Sequence, residues 1–172
     1  YTGGTTGTPK GAMLTHQNIS ANARQINCID PHSHANLPDA PADDRILGVL
    51  PFFHVFANAT VLNRTIDNGG EIVMLPRFEA TAALKAVNRT KVTSMPGVPT
   101  MYQALLDNAE LPKTDFSSLR ACISGGAPLA AELKARFEDV SHAAVIEGYG
   151  LTESSGVISC NPYEGTNKDG SI

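Results

Sequence analysis

Tryptophan is absent, and aromatic residues supply only 6% of the 172-residue chain. Stacking platforms for single-stranded nucleic acid are therefore lacking. A basic surplus is missing as well: 13 Lys and Arg stand against 17 Asp and Glu, a formal charge of -4. That balance leaves no electrostatic footprint for nucleic acid. Cysteine is sparse. Cys28, Cys122 and Cys160 are odd in number and widely spaced, with no C-x-x-C. They argue against a disulfide framework or a zinc site, and for reduced thiols in the cytoplasm. No apolar run approaches the roughly 20 residues of a membrane-spanning helix, and no signal peptide is recognisable. An initiator Met is missing too, and the chain begins directly in a Gly/Thr-rich loop. Such a loop is normally aimed by a rigid element that enters it, so the chain is expected to be a piece of a longer protein, truncated upstream.

Glycine and threonine are concentrated in that opening stretch. Gly3, Gly4, Gly7 and Gly11 free the backbone to bend and bring its N–H groups close to an anion. Thr2, Thr5, Thr6 and Thr8 add hydroxyls, and Lys10 adds a mobile positive charge. Amides, hydroxyls and one ammonium match the many acceptor oxygens of a polyphosphate. The Walker spacing is not met: Pro9 precedes Lys10 and Gly11 follows it. Pro9 also removes one amide donor and disfavours the α region for Thr8, which puts Lys10 in a turn after the loop. A plain mobile turn has the same composition, so the loop alone does not decide between cradle and connector.

Farther on, Ile19, Ala23 and Ile26 fall at helical spacing from His16 to Cys28, with Thr15 as N-cap and Asp30-Pro31 as stop. His32 to Asp44 carries three prolines and no periodicity and is expected to be a loop. Its His32-x-His34 pair has no third ligand nearby and reads as solvated. Strands are expected at Ile46–Leu50, Glu71–Leu75, Val92–Met95, Leu119–Ser124 and Ala143–Glu147. Helices are expected from Val55 to Ile66, around Ala80–Val87, from Pro99, and from Pro128 through Phe137. The tail from Ser154 to Ile172 is expected to be irregular. Alternation of apolar strands with helices predicts an α/β fold: a doubly wound, mostly parallel sheet of about five strands with helices on both faces. No repeat or linker divides residues 1–172, which are expected to form one subdomain. In such sheets ligands collect beyond the carboxyl ends of the strands.

Three strand exits are chemically rich: Pro51-Phe-Phe-His-Val-Phe56, Ser124-Gly-Gly-Ala-Pro128 and Glu147-Gly-Tyr-Gly-Leu-Thr-Glu153. The Ser124–Pro128 turn lets a flat ring approach the backbone, and Tyr149 between two glycines can stack on it. Thr152 supplies a hydroxyl and Glu153 a hard oxygen ligand. Each has a plainer alternative. Gly-Tyr-Gly is commonly a turn, Glu153 a carboxylate at a helix start, Phe52, Phe53 and Phe56 core, and His54 a hydrogen-bonded structural histidine.

Together and in this order, the opening loop and the three exits resemble the adenylate-forming superfamily of acyl-CoA synthetases, luciferases and peptide-synthetase adenylation domains. The resemblance covers essentially the whole chain. Gly3–Gly7 and Pro51–Phe56 are similar to bacterial long-chain fatty acyl-CoA ligases, although many members carry Thr-Ser-Gly where this chain has Thr2-Gly3-Gly4. The resemblance implies a subdomain of the large N-terminal, AMP-binding domain. It also implies two steps: ATP and a carboxylate give acyl-AMP and pyrophosphate, then the thiol of coenzyme A displaces AMP. By motif, Thr2, Gly3, Gly4, Thr5, Thr6, Gly7 and Lys10 would hold the β,γ-phosphates, Thr152 the α-phosphate and Glu153 a Mg²⁺ ion. Gly126, Ala127, Pro128, Glu147, Gly148 and Tyr149 would contact adenine. His54 would border the acyl carboxylate, with Phe53, Phe56 and Gly150 along the acyl tunnel. Lys10, His54, Thr152 and Glu153 are thus the catalytic candidates.

The resemblance places the ribose-binding Asp, the hinge and the adenylation lysine beyond Ile172, so the chain by itself is expected to be inactive and to self-associate through surface left uncovered. Fatty acid, ATP and coenzyme A are the expected small-molecule substrates, and peripheral contact with a bilayer is left open. Two alternatives remain: another adenylate-forming enzyme (aryl-CoA ligase, luciferase-like oxygenase or peptide-synthetase domain), or a nucleotide-binding module without chemistry.

Overall fold

Side-chain caps decide where several elements begin. In the computed structural model, which describes residues 1–2, 7–33 and 43–165, helix α1 (His16–Ile29) starts at Thr15. The Thr15 hydroxyl accepts the Asn18 N–H at 3.1 Å, and the Asn18 side chain accepts the Thr15 N–H at 3.0 Å. This reciprocal pair satisfies two donors that a helix start otherwise leaves open. The helix ends at Asp30, as the following proline requires. The stretch of the expected loop that covers 34–42, His34 included, lies outside the described residues.

Strand β1 (Arg45–Gly48) is followed by one continuous helical run of three parts: α2 (Val55–Ala57), a π-helical segment (Asn58–Asn63) and α3 (Arg64–Asn68). The hydroxyls of Thr60 and Thr65 donate to the carbonyls of Phe56 and Val61 four residues back. Such bonds compete with the helical ladder and loosen it. Gly69, with φ 71°, closes α3 in the left-handed conformation, which costs glycine least. There follow β2 (Glu71–Met74), α4 (Ala80–Thr90), β3 (Ser94–Gly97), α5 (Pro99–Leu106), β4 (Ala121–Ser124), α6 (Ala131–Ser141), β5 (Ala144–Leu151) and β6 (Gly156–Cys160).

The strands form one sheet in the order β2-β1-β3-β4-β5-β6. The first five in that order pair in parallel, while β6 is antiparallel to β5. The chain reverses direction of growth between β1 and β3, the 2-1-3-4-5 arrangement of one doubly wound class. The expected α/β architecture is therefore present, with three corrections. The sheet has six strands because Gly156–Cys160, placed in an irregular tail, extends its edge. Strand β3 starts two residues late and runs through Pro96. On its β1 side β3 pairs only at Ser94, so no ladder bond misses the absent proline N–H. Helix α6 begins at Ala131 and not at Pro128, because the Leu129 N–H is already held by the Glu147 carboxylate at 2.9 Å.

The main core packs α4, α5 and α6 against the sheet, with Leu47, Leu84, Val87, Met95, Leu105 and Val145 buried. Tyr102 meets Phe137 edge-on at 5.1 Å between ring centres, and its hydroxyl donates to the Met95 carbonyl at 2.8 Å. Between α1 and β1, the buried Arg64 guanidinium pairs with Asp30 and Asp44. It joins the two flanks of the undescribed stretch, and such a pair is strongly destabilising to break by losing one partner.

Candidate functional site

The ends of β1, β4 and β5 deliver their exits to one side of the molecule. After β1, the His54 N–H donates to the Pro51 carbonyl at 2.9 Å, forming a turn. His54 then caps α2: its Nδ1 accepts the Phe56 N–H at 3.2 Å. A neutral imidazole that accepts at Nδ1 carries its proton on Nε2, so it presents a donor outward. After β4, Gly125 lies under the Phe56 ring, and a Cβ built there would be 3.0 Å from it. Only glycine fits that contact without displacing the ring.

Strand β5 does not stop at Glu147 as expected but continues to Leu151. The Gly148–Leu151 part belongs to the ladder with β6, with an irregularity between Tyr149 and Gly150. A Cβ on Gly150 would come within 2.1 Å of the Gly156 carbonyl oxygen, so glycine is what allows the two strands to close. The turn beyond is locked by Ser154, whose Oγ accepts the Leu151 N–H at 3.2 Å and lies 2.8 Å from the Leu151 carbonyl. Thr152 and Glu153 ride on that turn. At the start of the chain, Thr2 and Lys10 exchange backbone hydrogen bonds at 2.8 and 3.0 Å. They hold the two arms of the opening loop together. Gly3, Gly4, Thr5 and Thr6, the tip of the expected cradle, lie outside the described residues, while Gly7 and Lys10 are exposed.

These pieces enclose two adjoining spaces. A crevice of about 530 Å³ is bordered by Thr2, Leu14, Phe53, His54, Thr152 and Glu153 among others. Tyr1 and Thr2 at the foot of the opening loop and the Thr152–Glu153 turn, far apart in sequence, thus border one cleft, which Lys10 does not line. Beside it runs a narrow apolar slot of about 60 Å³. Its walls come from α1 (Ile26, Ile29), from Val55, Phe56 and Thr60, from the β4 and β5 ends, and from β6. His54, Val55 and Gly150 border both spaces. The Thr60 hydroxyl is turned to the Phe56 carbonyl at 2.7 Å, which leaves that wall apolar.

Of the residues assigned by motif to adenine, Gly126, Gly148 and Tyr149 border the slot, and Ala127 and Pro128 lie exposed on their turn. Glu147 closes the parallel part of β5, just before Gly148 at the slot wall. Its side chain is buried, and its carboxylate is occupied by the Leu129 N–H, so it shapes the turn from beneath. Phe53 is 94% exposed, on the crevice side and not in the slot, whereas Phe56 does line the slot. Sequence reasoning missed Ile29, Val157, Cys160 and Tyr163, the last three in the supposedly irregular tail. The apolar pair Val157-Ile158 directly after the turn was the available signal. Among the described residues no group of three His, Cys, Asp or Glu side chains is placed to hold a metal ion. A single exposed carboxylate, Glu153, beside the Thr152 hydroxyl suits an ion held jointly with phosphate oxygens, as Mg²⁺ is. No helix among the described residues is long and apolar enough to cross a membrane.

A parallel α/β sheet with a polar crevice and an apolar slot side by side at the carboxyl ends of its strands defines a doubly wound ligand-binding domain. Comparison with known proteins makes the class specific. The AMP-binding enzyme family matches residues 1–172, and the chain belongs to that family. Over its whole length it is 44% identical to a long-chain-fatty-acid–CoA ligase of Bacillus subtilis (strain 168), covering 30% of that protein. It is 40% identical, over 90% of its length, to a feruloyl-CoA synthase of an Amycolatopsis species, again covering 30%. Among solved structures, ATP-bound MatB from Rhodopseudomonas palustris superposes with a TM-score of 0.84 at 32% identity, over 98% of this chain and 31% of that one. A long-chain-fatty-acid–CoA ligase from Archaeoglobus fulgidus gives 0.78 at 30% identity, over 94% and 32%. The chain thus spans under a third of the length of these relatives.

Proposed function

We propose that the chain is the nucleotide- and acyl-binding segment of a longer acid–thiol ligase that activates a long-chain fatty acid. The carrying observation is that His54, Val55 and Gly150 border both the polar crevice and the apolar slot. A carboxylate whose tail lies in the slot would present its oxygens where the crevice begins. There it attacks the α-phosphorus of ATP, the bond to pyrophosphate breaks, and the mixed anhydride acyl-AMP forms. The thiol of coenzyme A then attacks the acyl carbon and AMP leaves.

Two anions must meet in the first step, so donors and cations have to neutralise charge as it develops. His54, with its proton on Nε2, donates to a carboxylate oxygen and acts as an orienting group rather than a base. The Thr152 hydroxyl donates to the α-phosphate, and Thr2, the loop beyond it and Lys10 receive the β,γ-phosphates. Glu153 would hold, together with phosphate oxygens, a Mg²⁺ ion that supplies charge compensation on the phosphates. Adenine would lie along Gly126–Pro128 with Tyr149 against it.

The full-length protein carrying Glu153→Ala should lose at least tenfold in acyl-AMP formation, about 1.4 kcal/mol of transition-state stabilisation. Lys10→Ala should slow the pyrophosphate-linked step while sparing thiol transfer from preformed acyl-AMP. ATP–pyrophosphate exchange and single-turnover transfer separate the two steps, and equal losses in both for Lys10→Ala contradict its assignment. The resemblance to a feruloyl-CoA synthase keeps an aryl acid as the second reading. Palmitate, ferulate and amino acids offered to the wild-type protein decide between them.

A further inference from the structure

The apolar slot has a second end. Opposite His54 it is closed by Ile29, Cys160 and Tyr163, and the same residues form one wall of an outer depression with Pro31, Asn161 and Glu164. The slot of about 60 Å³ therefore joins two wider spaces, the crevice of about 530 Å³ and this depression of about 450 Å³. Tyr163 stands at the junction. Burial raises its hydroxyl above the ordinary phenol range, and the charges of Arg64, Asp30 and Asp44 also act on it. Tyr163 thus borders both the slot and the depression, and its hydroxyl lies within the field of the buried cluster joining α1, β1 and α3.

The length of the slot follows from the β5–β6 ladder. Leu151 pairs with Gly156 at the crevice end, and Gly148 pairs with Cys160 at the far end. From Gly156 to Cys160 is roughly 13 Å at the usual strand rise. An extended hydrocarbon advances about 1.3 Å per carbon, given bonds of about 1.5 Å. About ten carbons therefore reach from the His54 end to Tyr163.

We propose that Tyr163 is the chain-length determinant of the acyl site: fatty acids of up to about ten carbons end short of its ring, and longer ones pass it into the outer depression. The inference rests on the acyl reading of the slot given above. Shape, rather than polarity, does the sorting, because a pocket distinguishes chains by the methylenes it can accommodate.

The test compares octanoate and palmitate in the full-length protein by kcat/KM, for wild type, Tyr163→Ala and Tyr163→Trp. The palmitate-to-octanoate ratio should rise at least about fivefold in Tyr163→Ala and fall at least about tenfold in Tyr163→Trp. A ratio unchanged in both variants, whether activity stays high or drops for the two acids together, overturns the assignment of Tyr163 and leaves the acyl reading standing. A wild-type protein that activates ferulate but neither fatty acid overturns the acyl-chain reading itself.

Discussion

Asn22 joins two stretches that lie 135 residues apart. Its side-chain amide donates to the Val157 carbonyl at 2.7 Å and accepts the Val157 N–H at 3.1 Å. The amide thereby serves β6 as a neighbouring strand would. Gly156 next to it has φ 138°, and any Cβ there would come within 2.6 Å of both Ala59 and the Asn22 Oδ1. Replacing Asn22 by Leu keeps the bulk but strands both polar groups of Val157 away from a partner. The expected loss is about 1–3 kcal/mol, read as a lower urea midpoint at an unchanged slope. Nothing in the sequence pointed to Asn22. The helical stripe was drawn through Ile19, Ala23 and Ile26, and a buried asparagine on such a face is explained only by a partner far away in the chain. The structural role of the Glu147 carboxylate was hidden for the same reason, since it accepts the N–H of Leu129, 18 residues earlier in the chain. His54, Thr152 and Glu153 were singled out by motif order, and not by local propensity, and all three border the crevice.

Helix α4 shows how an element depends on a charged cap. Glu79 precedes it, and its two carboxylate oxygens accept the N–H groups of Thr81 at 3.0 Å and Ala82 at 2.6 Å. The Ala82 bond is the largest cause of a Glu79 pKa held below the ordinary carboxylate value, followed by Thr81. A carboxylate lowered by folding stabilises the native state at pH values above its unfolded pKa. The stabilisation is lost as pH falls from there through the folded value. Glu79→Gln should therefore have a lower urea midpoint than wild type at about pH 7, and the two should converge as pH falls to about 3. A difference independent of pH would show that the charge contributes nothing to the cap. Elements whose ends are set locally were legible in the sequence: Thr15 before α1, Pro99 opening α5, and Asn68-Gly69 closing α3. The ends of β3, β6 and α6 were not. Each is fixed by a partner strand or side chain distant in sequence, and Pro96 in β3 and Gly156 in β6 count against a strand until that partner is known.

Across the whole molecule, the parallel order was legible because apolar strands alternated with helices, and the antiparallel edge was not because it belongs to the last short stretch. The same topology leaves apolar surface at the carboxyl ends of β1 and β2. A groove there is bordered by Leu50, Phe52, Phe53, Met74 and Phe78. Phe53 is 94% and Met74 64% exposed, and Met74 ends the edge strand β2, whose outer side has no partner among the described residues. A contiguous apolar patch beside an unpaired edge favours association. The 172-residue chain expressed by itself is therefore predicted to sediment above its monomer mass at micromolar concentration. Met74→Lys places a charge on the exposed edge without touching the core, and it should return the chain toward monomer while leaving the thermal midpoint nearly unchanged. Sedimentation velocity on both proteins decides: a wild-type monomer removes the groove as the cause, and association that persists in Met74→Lys shifts it to the crevice side, where Tyr1 and Leu151 are also exposed.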